Sequence, residues 1–380
     1  MSCLPEIATR PTIAEIDLDV LAANVGVFQR RVGEDVQIMA VVKANAYGHG
    51  LVPAAKTVLR AGAQQLAVAF PEEGAALRSA GIDAPILVMG GLYHGQLSLY
   101  FEHNLELTVS SVDKLRHVEE AAKALGVKAT IHLKIDTGME RVGMHSYSCR
   151  PLIEAAVESD VVILKGVYSH LACADDKDSP MTVLQVERFE EVLSIFDDLS
   201  APMPLRHLAN SAGILNFPET WYDMVRPGIG IYGYPPGENK HGLRPVLSLK
   251  SKVVYFKVVK AGTPVSYGAT WAPEKDTRIV TIPLGYGDGF PRGLSSKGSV
   301  IIHGKRYPIV GRVCMDQFMV DIGWDSAYNG DEVILIGESS GTRITADDVA
   351  KLTSTISYEV LCNLNERIPK VYIGEMAQNL

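Results

Sequence analysis

The chain has 380 residues, of which 47% are hydrophobic and 21% are charged, and its formal net charge is −8. This composition is that of an ordinary globular protein with room for one large and one smaller domain, and it excludes a disordered or fibrous chain. The negative charge argues against a nucleic-acid-binding surface, which would need clustered Lys and Arg, so we expect a small-molecule partner.

The N-terminal segment predicts neither export nor a membrane anchor. Pro5 and Glu6 lie where a secretory peptide would need an unbroken apolar core, and no later apolar run approaches about 18 residues. Five cysteines at scattered positions fit neither a disulfide framework nor paired metal ligands. We therefore expect a cytoplasmic protein with reduced thiols, no metal and no membrane contact. The cysteines are Cys3, Cys149, Cys173, Cys314 and Cys362.

Short apolar runs then alternate with amphipathic stretches. The runs are too short for helices and rich in branched side chains, which predicts buried parallel strands, and stretches such as 112–125 and 181–199 predict helices between them. Eight such units within roughly 200 residues favour an α/β fold of the (β/α)8 barrel type, with an open doubly wound sheet as the alternative. The predicted strands are 36–42, 65–70, 85–89, 105–109, 130–135, 161–168, 205–208 and 223–225.

The pattern changes where Tyr234-Pro235-Pro236-Gly237 breaks the chain, because the next hundred or so residues show strands without long helices. The sequence therefore predicts a barrel domain in residues 1–240, whose first strand could join the second domain instead. A mainly β C-terminal domain is predicted in residues 241–380, with one helix at 345–353. The predicted strands of this domain are 246–259, 278–282, 300–303, 320–322 and 332–336.

Many polar residues follow the predicted barrel strands, and side chains at such carboxyl ends line the active sites of barrels. Lys43 directly follows the apolar residues 40–42, where loss of water would lower the pKa of its amine and make it nucleophilic. A lysine that merely extends its amine into solvent is the alternative. The polar positions are Lys43, Asn45, Tyr47, His49, Lys134, Asp136, Arg141, His170, His207, Asn210, Ser211, Arg226 and Gly228.

Two neighbouring loops predict a phosphate site. The loop after the eighth strand reads Arg226-Pro227-Gly228-Ile229-Gly230, and its backbone N–H groups could bind a phosphate, as loops often do there in barrels. Ser211 precedes it on the adjacent loop. Its hydroxyl could donate to the same phosphate or cap the following helix.

Several ordered motifs occur along nearly the whole chain. The stretch 40–50 reads AVVKANAYGHG, and others are KIDTGM at 134–139, RVG at 141–143, VSYGAT at 265–270 and CMDQ at 314–317. Together they resemble the motifs of bacterial alanine racemases, which are barrel-type pyridoxal-phosphate enzymes with a C-terminal β-domain. The resemblance implies an isomerase that interconverts L-alanine and D-alanine and supplies D-alanine for cell-wall peptidoglycan.

The resemblance also implies the catalytic groups. Lys43 would bind pyridoxal phosphate covalently and exchange a proton with one face of the substrate α-carbon, while Tyr267 would serve the other face. Two groups are needed because a single group would tend to return the proton to the face from which it came and so restore the starting configuration. Tyr267 would come from a partner subunit, which implies a homodimer with shared active sites. His170 would assist Tyr267, since a tyrosine with a pKa of about 10 is a poor base, and Arg226 would contact that region and the cofactor ring nitrogen.

Binding residues are implied in the same way. The substrate carboxylate would contact Arg141 and the backbone of Met315 from the partner chain. Lys134 is similar to a lysine that is carbamylated in many family members. Tyr286 and Asp175 would line the substrate channel. The cofactor phosphate would contact Tyr47, Ser211, Gly228, Ile229 and Tyr358.

Three other functions stay open. A racemase for serine or for a broader range of amino acids would share these motifs, because a pocket discriminates by only about 1–3 kcal/mol per methylene. A non-catalytic pyridoxal-phosphate carrier of the same barrel type would lack the second domain and Tyr267. A barrel-type decarboxylase would pair the ring nitrogen with an acidic residue rather than with Arg226. The last two differences favour a racemase.

Overall fold

The computed structural model describes residues 10–237 and 241–379, without the side chain of Asn379. The described residues form two compact units: one contains 21–46 and 51–244, and the other contains the residues up to 20, residues 47–50 and those from 245 onward. Within these ranges no helix is long and apolar enough to cross a membrane. Cys3 lies outside the described residues, and the four other cysteines are free thiols.

Strands and helices alternate through the first part of the chain, with short 3-10 turns between some of them. Their bounds are β1 (Ile13–Asp17), α1 (Leu18–Val32), β2 (Gln37–Val41), α2 (Lys43–Tyr47), α3 (Leu51–Arg60), β3 (Gln65–Val68), α4 (Pro71–Ser79), β4 (Ile86–Val88), α5 (Leu97–Glu102), β5 (Glu106–Val109), α6 (Val112–Leu125), β6 (Ala129–Asp136), β7 (Met144–His145), α7 (Arg150–Glu158), β8 (Val162–Tyr168), α8 (Pro180–Asp198), β9 (Leu205–His207), α9 (Ser211–Asn216) and β10 (Met224–Val225).

Eight parallel strands form a ring in the order β10-β2-β3-β4-β5-β6-β8-β9. The ring closes between β9 and β10, where the Arg226 N–H donates to the Ala209 carbonyl at 3.0 Å and the Asp223 N–H donates to the Arg206 carbonyl at 3.2 Å. All four residues of β3 are buried, as expected for a parallel strand covered on both faces. The predicted (β/α)8 barrel is therefore confirmed, and the open doubly wound sheet is wrong.

Local capping signals explain the helix ends. Helix α6 has the predicted bounds because Ser111 accepts the Lys114 N–H at 3.2 Å at its start and Gly126, with a φ of 66°, ends it. Helix α8 starts one residue before the predicted position, because Pro180 occupies the first turn, where a missing N–H costs nothing.

The second unit is mainly β, as predicted. Its bounds are β11 (Leu247–Lys252), β12 (Tyr255–Val259), β13 (Thr277–Ile282), β14 (Ser299–Ile302), β15 (Lys305–Val310), β16 (Phe318–Asp321), β17 (Glu332–Ser339), β18 (Thr342–Ile344), α10 (Ala346–Thr353), α11 (Ser357–Cys362) and β19 (Lys370–Ile373).

These strands form one sheet in the order β12-β13-β16-β15-β14-β17-β11-β1-β19, with β18 paired to β17. The N-terminal strand β1 runs antiparallel to β11 and parallel to β19. The prediction of one strand over 246–259 is wrong: β11 pairs with β17, while β12 pairs with β13. The chain turns between them, where the Val253 N–H donates to the Asp331 carbonyl at 2.9 Å.

Candidate active site

The short element α2, which begins at Lys43 after the single residue that follows strand β2, is a left-handed turn rather than an ordinary helix. The four residues 44–47 have φ angles of 53° or 54°. Each L-residue costs roughly 1–2 kcal/mol in this conformation, so the turn is strained and depends on its surroundings. One support is Asn45, whose side-chain oxygen accepts the Leu51 N–H at 2.7 Å. The strained turn therefore starts at Lys43, at the carboxyl end of a barrel strand.

Arg226 is buried at the end of β10, with 2% of its surface exposed. Its guanidinium donates to the carbonyls of His207 and Ser169, both at 2.7 Å, and of Leu208 at 3.0 Å. Burial lowers its pKa to about 10, which still leaves the group protonated at neutral pH. Arg226 is thus a fixed cation held by neutral carbonyl groups.

His170 lies beside this cation, with its Nδ1 at 3.4 Å from Nη2 of Arg226. Guanidinium can only donate, so Nδ1 accepts and the proton of the neutral ring sits on Nε2. Burial and the positive charges of Arg226, Lys134, Arg141 and Lys43 hold the pKa of His170 well below its ordinary value. The barrel unit therefore places a neutral His170 beside the Arg226 cation, within the electrostatic influence of Lys134, Arg141 and Lys43.

The Lys134 amine is held close to neutrality. Burial and the neighbouring charge of Arg226 lower its pKa to about 7, against the opposing effect of Asp136. Its Nζ lies 4.9 Å from the centre of the Tyr168 ring. A substantial fraction of this amine is unprotonated at neutral pH and can act as a nucleophile.

Ser211 joins the two loops of the predicted phosphate site. Its Oγ accepts the Gly228 N–H at 2.8 Å and the Gly230 N–H at 3.2 Å. Because the oxygen accepts both bonds, its own proton is available to another acceptor. The helix cap is the adjacent Asn210, which accepts the Gly213 N–H at 3.0 Å, so the alternative role of Ser211 as the cap is wrong. Ile229 is buried between the two glycines.

In the second unit, Tyr47 and Tyr358 are brought together, with ring centres 6.0 Å apart. Tyr47 is buried, and burial together with Tyr358 and Cys362 raises the pKa of its hydroxyl. The hydroxyl of Tyr47 therefore stays protonated at neutral pH and is suited to donate to an anion.

Three other predicted residues of this unit are exposed in the single subunit. The exposed fraction is 72% for Tyr267, 52% for Met315 and 44% for Tyr286. A hydrogen bond connects the loops that carry Met315 and Tyr286, because the Gly287 N–H donates to the Met315 carbonyl at 2.9 Å. In the barrel unit, Asp175 lies in an exposed turn.

Two polar residues predicted to line the site have structural contacts instead. The Asp136 carboxylate accepts the N–H groups of Gly138 at 2.8 Å and Met139 at 2.9 Å, which organises the turn after β6. His49 is buried, with its Nδ1 2.9 Å from the Tyr47 carbonyl oxygen. Over the ranges that the structure describes, no three His, Cys, Asp or Glu side chains group as metal ligands.

A set of polar residues inside the barrel was not predicted from the sequence. Glu106, His132 and Tyr168 are buried, and the Tyr168 ring stacks on His207 with centres 4.6 Å apart. These residues lie within predicted strands rather than after them. The available signal was a Glu and a His in strands that are otherwise apolar, which is unusual for buried positions.

Both units match models of one family. The chain matches "Alanine racemase, N-terminal domain" over residues 16–236 and "Alanine racemase, C-terminal domain" over residues 246–372. The alanine racemase of Halothermothrix orenii is 42% identical over 368 residues, which cover 96% of this chain and 97% of that protein.

Solved structures agree. The alanine racemase of the D-cycloserine producer Streptomyces lavendulae superposes with a TM-score of 0.93 at 38% identity, covering 98% of this chain and 99% of that one. The alanine racemase of Bartonella henselae, solved with covalently bound pyridoxal phosphate, has a TM-score of 0.88 at 30% identity and covers 96% of this chain and 99% of its own. These matches confirm the resemblance seen in the sequence motifs. The chain belongs to the alanine racemase family.

Proposed function

We propose that this protein interconverts L-alanine and D-alanine with pyridoxal phosphate bound at Lys43, by exchanging protons at both faces of the α-carbon. The observation that carries the proposal is the buried Arg226 guanidinium, which lies 3.4 Å from Nδ1 of His170 and, like the Lys134 amine, lies over the Tyr168 ring. The proposal includes a cytoplasmic location and a role in supplying D-alanine for peptidoglycan. Serine and broader substrate ranges stay as alternatives.

The residues present fit pyridoxal phosphate, which is an anion. The guanidinium groups of Arg226 and Arg141 supply the opposite charge, and the Ser211 hydroxyl, which accepts the Gly228 N–H, can donate its own proton to a phosphate oxygen. A Cβ at Gly230 would lie 2.6 Å from the Phe28 ring, so any side chain at this position of the loop would displace that ring. When bound, the cofactor acidifies the substrate α-proton by withdrawing electrons. The proposed phosphate contacts are Tyr47, Ser211, Gly228, Ile229 and Tyr358.

Tyr267 is the proposed second proton-exchanging group, supplied by the partner subunit of a homodimer. Its exposure in the single subunit, shared with Met315 and Tyr286, supports this arrangement. His170 accepts from Arg226 at Nδ1 and so keeps its proton on Nε2, from which it can donate to the tyrosine oxygen. Such a bond stabilises the deprotonated tyrosine and makes it a better base. Arg141 and the Met315 backbone would hold the substrate carboxylate, and Tyr286 and Asp175 would line its channel.

One experiment tests the proposal directly. Purified holoenzyme is incubated with L-alanine in deuterated water, and parallel samples contain L-serine, L-lysine or L-glutamate. The products are separated by chiral chromatography, and mass spectrometry measures their deuterium content. We expect α-deuterated D-alanine well above the other products. A larger yield from another amino acid would replace alanine as the substrate, and no inversion of any of them would contradict racemase activity.

Arg226 should control the side reactions of the enzyme. Guanidinium can only donate to the cofactor ring nitrogen and cannot help to protonate it, so the electron sink stays weak and the substrate is reprotonated at once. We expect Arg226→Glu to lower racemisation by roughly 100-fold, because a carboxylate replaces a preorganised cation. The ratio of pyruvate to D-alanine formed should rise. Arg226→Lys, which keeps the charge, is the control, and an unchanged ratio in Arg226→Glu would refute this role.

Lys134 should become carbamylated. Its pKa of about 7 supplies the unprotonated amine that carbon dioxide requires. The nitrogen attacks carbon dioxide and loses a proton, and the resulting carbamate carries a negative charge that can pair with Arg141. In labelled bicarbonate, 13C NMR should show a carbamate signal that is absent from Lys134→Met. Lys128→Met, which removes an exposed lysine, should keep the signal. A spectrum without this signal would contradict the prediction.

A further inference from the structure

A chain of hydrogen bonds crosses the interior of the barrel behind Arg226. Nη1 of Arg226 lies 3.0 Å from Nδ1 of His207, and Nε2 of His207 lies 2.9 Å from Nδ1 of His132. Nε2 of His132 lies 2.9 Å from a Glu106 oxygen, and the other Glu106 oxygen accepts from the Lys165 amine at 2.5 Å. The chain links a site residue to groups that the proposed reaction does not use.

The two ends of this chain fix every proton along it. Arg226 can only donate, so Nδ1 of His207 must accept and its proton must sit on Nε2. That proton points to Nδ1 of His132, which must therefore accept and carry its own proton on Nε2. An ionised Glu106 can only accept, and it receives that last proton. All bonds therefore run in one direction, from the cation to the carboxylate.

Both imidazoles must be neutral for this arrangement to exist. A doubly protonated His132 would present an N–H to Nε2 of His207, and the His207 proton would then have to face either that group or Arg226. Burial lowers the pKa of His132 and holds that of His207 well below its ordinary value, which agrees with neutral rings. Burial raises the pKa of Glu106, but His132 and Lys165 outweigh it and leave a carboxylate.

The backbone around this chain of hydrogen bonds leaves space for the two imidazole rings. A Cβ at Gly166 would lie 2.2 Å from Nδ1 of His132, so any side chain there would displace the ring. The register between β6 and β8 shifts between Ile131 and His132, at the same point. On the other side, the Tyr168 ring lies parallel to His207 within 8° and fixes its plane. The two imidazoles are therefore held in defined orientations.

We propose that Glu106 and His132 are positioning residues of this enzyme, which hold His207 as the Nε2–H tautomer so that its Nδ1 lone pair orients the Arg226 guanidinium. The proposal rests on the proposed function, because Arg226 gains its importance from the cofactor ring nitrogen. Glu106 anchors the chain at the opposite end from the site. The tautomer of His207, beside Arg226, is thus set by the Glu106 carboxylate on the far side of His132.

Glu106→Gln tests the direction of the chain with almost no change in shape. If the glutamine oxygen faces Lys165, its NH₂ faces His132 and reverses both tautomers, which sets an N–H of His207 against Arg226. If the oxygen faces His132, the NH₂ meets the Lys165 ammonium instead. Either arrangement contains two opposed donors, so we expect kcat/KM for alanine to fall roughly 10- to 100-fold and the cofactor to bind more weakly. Glu102→Gln, which neutralises an exposed carboxylate on α5, is the matched control.

Glu106→Gln combined with Lys165→Met removes the second clash. The glutamine oxygen is then free to accept from His132, so the double variant should recover most of the lost kcat/KM and cofactor affinity. A purely structural role of Glu106 predicts the opposite, because the double variant loses one more polar group, the partly buried Lys165 amine. A double variant as impaired as Glu106→Gln would overturn the proposal.

Neutron diffraction from crystals of the wild-type holoenzyme reads the protons directly and needs no variant. We expect a deuteron on Nε2 and none on Nδ1 of both His132 and His207. A deuteron on Nδ1 of His207 would overturn the inference even if the enzyme racemises alanine. Conversely, a wild-type enzyme that fails to racemise alanine contradicts the proposed function. The neutron map still decides the direction of the hydrogen bonds between Arg226 and Glu106 in that case.

Discussion

Lys43→Arg should abolish racemisation, with a loss of more than roughly a thousandfold, because the nucleophile itself is removed. Arginine keeps the positive charge among Lys134, Arg141 and Arg226, but its guanidinium stays protonated and cannot bond covalently to the cofactor. The test treats protein and pyridoxal phosphate with borohydride, which fixes the covalent adduct, and measures the intact mass. Wild-type protein should gain one reduced cofactor, and Lys43→Arg should gain none.

The position of Lys43 gives this test its specificity. It lies two residues beyond the end of β2 and precedes the strained left-handed residues 44–47, whereas Lys128 is an exposed surface lysine of the same unit. Lys128→Arg should therefore keep both the adduct and the activity. An adduct that persists in Lys43→Arg would mean that another amine carries the cofactor, and the assignment of Lys43 would have to be abandoned.

The fold could be predicted where the signal is local. The eight apolar runs identified the barrel strands because a parallel strand that is buried on both faces is apolar along most of its length. The bounds of α6 followed from its amphipathic pattern, and Ser111 and Gly126, which act on the nearest turn only, cap the helix where that pattern ends. That the first strand could join the second domain was left open, but neither β1 nor its pairing was predicted. Its partners β11 and β19 lie more than two hundred residues away along the chain, and no local pattern encodes such pairing.

The same distinction applies to the site. Lys43 and Arg226 could be singled out because each follows an apolar strand, and the motifs supplied their proposed roles. The chain through His207, His132 and Glu106 could not, because it joins side chains from three strands that meet only in the closed barrel. Its direction follows from two donor and acceptor rules, but only after the distances are known.

Tyr267→Phe should separate proton exchange from inversion. The change removes one hydroxyl and leaves a ring of nearly the same shape, so the second proton-exchanging group is lost while Lys43 remains. A positioned acid or base contributes about 10²–10⁴-fold, and racemisation should fall by that factor. The enantiomer whose α-proton faces Lys43 should still exchange it for deuterium in deuterated water, with retention of its hand.

The other enantiomer should do neither, and this asymmetry is what a two-group mechanism demands. Chiral chromatography with mass detection measures exchange and inversion in the same sample, starting separately from L-alanine and D-alanine. Tyr255→Phe, at an exposed tyrosine on β12, is the matched control and should behave as wild type. If Tyr267→Phe exchanges both enantiomers equally, then Lys43 or water reaches both faces. The proposed role of His170 in the wild-type enzyme, donating its Nε2 proton to Tyr267, would then have to be abandoned.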